Sequence, residues 1–123
     1  MRSRNTKPEL LLRQALRDLG YRYRVHVAQL PGTPDIVFHR KKVVVFVHGC
    51  YWHRHSKCVG RRFKAATTQE QLQRFNRTVA RDHAIRHALE DNGWAVHVAW
   101  ECDICRDAVG EAVRVEQVLR ARA

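Results

Sequence analysis

The spacing of apolar residues changes several times along the chain, and each change marks an element. Thr6-Lys7-Pro8-Glu9 has the form of a capping box, with proline tolerated in the first turn of a helix. Leu10, Leu11, Ala15, Leu16 and Leu19 keep near-helical spacing up to Gly20, a residue suited to ending a helix. From Tyr21 the period falls to two. Tyr21, Tyr23, Val25 and Val27 alternate with Arg22, Arg24 and His26, which predicts a strand with one apolar and one basic face. Leu30-Pro31-Gly32-Thr33-Pro34 reads as a turn. Residues 35–39 and 42–48 follow as two short apolar strands. Arg40 and Lys41 form the bend between them, so the pair is expected to be antiparallel. The second strand is apolar on both faces and is therefore expected at the centre of a sheet.

Residues 49–64 carry no period and are rich in cysteine, histidine, aromatic and basic residues. A loop of that length calls for a metal or a function. Residues 68–91 predict a long helix, with Leu72, Phe75, Val79, His83 and residues 85–89 near its buried side and Asn92-Gly93 as its stop. Residues 94–100 predict a strand, and residues 107–120 a last helix through Ala108, Val113, Val115, Val118 and Leu119. The order α-β-β-β-α-β-α predicts an α/β fold, with helices flanking a mixed sheet. At 123 residues the chain is expected to form one domain, spanning 1–123.

Charge narrows the partner. Lysine and arginine number 23 against 12 aspartate and glutamate, a formal net charge of +11. That excess points to a polyanion, since each neutralised phosphate releases counterions. No stretch approaches the ~20 apolar residues of a membrane span, and the first residues have no apolar signal core. An intracellular setting is expected. There the four cysteines, Cys50, Cys58, Cys102 and Cys105, read as metal ligands or free thiols rather than disulfides.

The chemistry concentrates in residues 48–58. Three histidines, two cysteines and two adjacent aromatics fall within these eleven residues. Cys50, His55 and Cys58 have the C-x4-H-x2-C spacing of soft zinc ligands, and Cys102 after the last strand is the natural fourth. His53 in place of His55, and Cys105 in place of Cys102, remain open. This ligand set leaves His48 and His53 beside the strand end, with Asp35 at the start of the neighbouring strand. A carboxylate beside free imidazoles suits Mg²⁺-assisted phosphodiester hydrolysis, with a histidine moving the proton. Tyr51-Trp52 can stack on bases or wedge between them. Arg61, Arg62 and Lys64 extend the basic surface toward phosphates.

At these residues the chain resembles the very-short-patch-repair (Vsr) DNA mismatch endonucleases. The matching blocks are residues 5–9, Leu30-Pro-Gly-x-Pro-Asp35, residues 45–53 with His48-Gly-Cys-Tyr-Trp-His53, Arg81-Asp82, and Gly93 through Cys102. The resemblance implies a restriction-endonuclease-like mixed sheet with a structural Zn²⁺. It also implies Mg²⁺-dependent nicking of duplex DNA 5′ of the thymine in a T:G mismatch. By position it implies Asp35 and the backbone carbonyl of Val47 as Mg²⁺ ligands. His53 would activate the attacking water, His48 would stand near the scissile phosphate, and Glu9 would orient a catalytic histidine. Cys50, His55, Cys58 and Cys102 would hold zinc, and Tyr51 and Trp52 would wedge beside the mismatch. The expected setting is a monomer in the bacterial cytoplasm, at the nucleoid, with mismatched DNA and other mismatch-repair proteins as partners.

Three departures bear on specificity. Only a few residues precede Asn5 in this sequence, so most of the family's N-terminal DNA-embracing arm is not expected. The zinc loop has one extra residue, Lys57, and Gln71 stands where family members often carry tryptophan. Two competing readings are a related nuclease acting on other lesions or foreign DNA, and a non-catalytic zinc DNA-binding module. Chelator-sensitive incision separates the last from the others.

Overall fold

A computed structural model describes residues 6–49 and 68–122. Helix α1 (Lys7–Asp18) begins after Thr6, with proline in its first turn. The Thr6 hydroxyl makes no capping bond. The expected capping box is thus not formed, because Glu9 is 1% exposed and turned into the interior. The buried stripe is Pro8, Glu9, Leu12, Ala15 and Leu16, at spacings of three and four. Leu10, Leu11 and Leu19, expected on that stripe, are exposed. Three successive leucines at 10–12 fit any helix face, and the packing partners choose Leu12. Gly20 adopts φ +91, which lets the chain reverse, and Tyr21 N–H bonds back to the Leu16 carbonyl.

The first strand is shorter than its alternation suggested. β1 is only Arg24–Val25, with Val25 exposed. β2 (Ile36–Phe38) and β3 (Val43–His48) pair antiparallel as expected, with Ile36 opposite Val45 and Phe38 opposite Val43. Every residue of β3 is buried, and the sheet order β1-β2-β3-β4 puts it in the interior. β4 (Ala95–Trp100) runs parallel to β3, from Val43 opposite Ala95 to His48 opposite Trp100. A parallel pair needs a long crossover, and helix α2 (Gln69–Asp91) lies within it. Thr68 caps α2 by accepting from the Gln71 N–H. One short element was not expected: residues 101–106 form helix α3 (Glu101–Arg106). The last helix, α4 (Ala108–Ala121), starts at its Asp107 cap as expected.

Apolar side chains fill both faces of the sheet. On one face Leu12, Leu16, Ile36, Val45, Val47, Ala99, Ile104, Val115 and Leu119 join α1, α3 and α4 to the strands. On the other, Val37, Val44, Phe46 and Leu89 pack under α2 with Ile85, Val96 and Trp94 against them. Alternation along β3 divides these sets, odd residues to one face and even to the other. Helix α2 buries only Phe75 and Leu89 fully, whereas Leu72 and His83, expected inward, are exposed. Val113 of α4, also expected inward, is exposed. Among the described residues no helix is long and apolar enough to cross a membrane.

Candidate active site

The β1–β2 hairpin and helix α1 bring three ionisable side chains together. Arg24 pairs with Val37 and Val25 with Ile36, so the next residue back along the hairpin, Asp35, meets His26. The His26 N–H donates to the Asp35 carbonyl at 3.2 Å, and the Val27 N–H to that of Pro34. At His26 the backbone turns left-handed, with φ +48. For a residue other than glycine this costs on the order of 1 kcal/mol. The turn takes the imidazole off the basic strand face where alternation had placed it, and points it inward.

There His26 Nε2 lies 2.7 Å from Glu9 Oε2 and 4.0 Å from Asp35 Oδ1. One donor atom from each of Glu9, His26 and Asp35 falls within 4.8 Å of the others. Asp35 is 4% exposed, and its Oδ2 accepts the Val47 N–H at 2.7 Å, which ties the carboxylate to the end of β3. Glu9 Oε2 also accepts from Arg13 at 2.9 Å, one helical turn on. His26 Nε2 is shielded from solvent, and despite its short approach to Glu9 it makes no aligned hydrogen bond. Two carboxylates this deeply buried repel each other unless positive charge compensates them. Of the charges named, Arg13 supplies one. The donor set of two carboxylates and an imidazole suits a divalent metal ion.

His48 stands at the same end of β3, on the face that carries Phe46 and packs under α2. It is 6% exposed and packs edge-on against Trp100, with ring centroids 5.2 Å apart. Its Nδ1 lies 4.0 Å from Asp82 Oδ2 of α2. Both line a cavity of about 190 Å³ between α2 and the sheet, with Phe46, Val79, Val98 and Trp100. Asp35 reaches this strand end through its bond to Val47, the residue before His48. Among the histidines described, the one that Glu9 approaches is His26.

Cys102 sits in the first turn of α3, partly buried, two residues beyond the His48–Trp100 pairing, and Cys105 of the same helix is exposed. The remaining expected site residues, Cys50, Tyr51, Trp52, His53, His55, Cys58, Arg61, Arg62 and Lys64, lie outside the described residues.

Two members of these clusters escape a reading by period. The alternation of residues 21–27 puts His26 on the basic face of a regular strand, and Asp82 lies in a matching block that implies no role for it. Nothing in the helical period of α2 singles out Asp82, which meets His48 only through the crossover.

Comparison with known proteins finds relatives across most of the chain. Residues 1–59 match the family model of the DNA mismatch endonuclease Vsr. A type II nicking enzyme of Xanthomonas oryzae pv. oryzae is 42% identical over 104 residues, covering 85% of this chain and 76% of the relative. A type II nicking enzyme of Neisseria meningitidis is 38% identical over 117 residues, covering 91% and 83%. The DNA mismatch endonuclease Vsr of Escherichia coli is 37% identical over 100 residues, covering 81% and 64%. A four-stranded mixed sheet flanked by helices also fits a restriction-endonuclease-like fold. The chain therefore belongs to the Vsr family and is a DNA endonuclease.

Proposed function

We propose that this endonuclease nicks one strand of duplex DNA on the 5′ side of the thymine in a T:G mismatch, with Mg²⁺ held at Asp35. The observation that carries the reading is the buried Asp35 carboxylate, anchored by the Val47 N–H and facing Glu9 and His26. One oxygen is committed to the backbone, so the carboxylate is presented in a fixed orientation at the end of β3. The Val47 carbonyl is the expected second protein ligand. Bound Mg²⁺ would polarise the phosphate and stabilise the leaving oxygen.

The chain's own residues do the rest. His53 takes the proton of the attacking water, and His48, held between Trp100 and Asp82, stands near the scissile phosphate. Tyr51 and Trp52 enter the stack, where a mismatch lowers the cost of unstacking. Arg61, Arg62 and Lys64 neutralise phosphates. Cys50, His55, Cys58 and Cys102 hold Zn²⁺ and tie the loop to the end of β4. Cys102 supports this placement, since it lies beside the strand end from which that loop departs.

The test is single-turnover cleavage of end-labelled duplexes carrying T:G, other mismatches or T:A, with Mg²⁺ or with chelator. The expected result is one nick 5′ of the mismatched thymine, lost with chelator. Equal cutting of T:A and T:G duplexes would instead mark a nuclease with another target.

A further inference from the structure

We infer that His26 is a direct ligand of the catalytic divalent cation, and that its nitrogen shifts the site's preference from Mg²⁺ toward Mn²⁺. This rests on the reading of Asp35 as the residue that holds the cation.

Three observations converge on His26. Its left-handed backbone turns the side chain inward, and residues held in such conformations cluster at functional sites. Its Nε2 is buried, and no hydrogen bond satisfies it. A buried imidazole nitrogen is rarely left so without a reason. Finally, its distances are those of shared coordination. Two donors each about 2.1 Å from one ion stand roughly 3 Å apart as neighbours and about 4.2 Å apart across it. Glu9 Oε2 and Asp35 Oδ1 lie 2.7 and 4.0 Å from His26 Nε2.

A histidine that only positioned Glu9 would be aligned with the carboxylate. Here the short distance comes without the alignment, and a cation between the three groups explains both. Arg13 approaches Glu9 from the neighbouring turn of α1. Mg²⁺ takes oxygen donors and keeps its waters, whereas imidazole suits first-row transition ions. A site with one nitrogen among carboxylates therefore gains more for Mn²⁺ than for Mg²⁺.

The experiment measures Mn²⁺ binding to the full chain by titration and by pulsed electron paramagnetic resonance, with Mg²⁺ as competitor. His26→Asn is the main variant, because asparagine accepts a left-handed backbone and its shorter side chain withdraws the donor. The wild-type protein should show a directly coordinated imidazole nitrogen on Mn²⁺. His26→Asn should lose that coupling and bind Mn²⁺ about tenfold or more weakly, with a smaller loss for Mg²⁺. His26→Gln, which offers an oxygen, should recover Mg²⁺ binding better than Mn²⁺ binding.

If the coupling and the affinity persist in His26→Asn while Asp35→Asn loses Mn²⁺, the inference about His26 fails and the role of Asp35 stands. If Asp35→Asn binds Mn²⁺ as well as wild type, the reading of Asp35 fails, and this inference falls with it. The wild-type spectrum alone remains decisive if a variant does not fold, since absence of any imidazole coupling overturns the proposal.

Discussion

At Glu9 a local and a distant partner compete for one side chain. The sequence Thr6 to Glu9 favours a capping box, yet Glu9 also falls on the stripe that continues through Leu12 and Leu16. Burial wins, because a carboxylate on that stripe finds Arg13 and His26 waiting. Tyr21 shows a simpler pairing. Its hydroxyl donates to Glu116 Oε2 at 2.7 Å, joining the chain after α1 to α4. That bond to a carboxylate, with some desolvation, raises the phenol above its ordinary value of 10.0. A raised folded value means the unfolded chain loses its proton first. Stability from this bond is therefore full below about pH 10 and is lost as pH rises through the higher folded value. Tyr21→Phe should cost about 0.5–1 kcal/mol near neutral pH, as the bond is partly solvated. It should also flatten the fall in denaturation midpoint between about pH 9 and pH 11. An identical pH profile in the variant would remove Tyr21 as a source.

At the scale of elements, the turn over residues 30–34 decides where the site forms. It sets the hairpin register that faces His26 with Asp35, and it packs on the long helix. Gly32 has φ +75, and a Cβ there would meet Ile85 Cγ2 at 2.7 Å and Phe46 at 3.2 Å. Gly32→Ala should destabilise by about 1–3 kcal/mol, from backbone strain and overpacking together. Thermal denaturation checks this, and an unchanged midpoint would show that the turn does not bear on α2. The same comparison shows what periodicity can and cannot convey. The residues 42–48 run is apolar on both faces, so its central place was legible, as was the antiparallel bend at Arg40-Lys41. Cap and stop residues placed α1, α2 and α4 well. The Tyr21–Val27 alternation misled, because it assumes regular backbone and His26 departs from it. Leu10, Leu11 and Leu72 misled too, since apolar character alone does not tell which leucines find a partner.

At the scale of the molecule, parallel pairing of β3 with β4 gathers the chemistry at one end of the sheet. His48 of β3 meets Trp100 of β4 there, Cys102 follows at the start of α3, and Asp35 is bonded to the same end through Val47. The motifs around Asp35 and His48 were legible as chemistry. That His48 turns toward Asp82, and Asp35 toward Glu9 and His26, depends on which sheet face each side chain takes. Pattern alone does not fix that for a hairpin with an irregular residue. The net charge of +11 supplies attraction for DNA independent of sequence, so binding and incision separate cleanly in a variant that alters one carboxylate. Asp35→Asn is that variant, because its amide oxygen can still accept the Val47 N–H. The decisive measurement is single-turnover nicking of a T:G duplex by this variant, beside its equilibrium binding of the same duplex. Binding should stay close to wild type while the nicking rate falls by at least about a hundredfold, the scale of losing a metal-held charge stabiliser. Nicking at the wild-type rate would contradict the assignment of Asp35 as the residue on which incision depends.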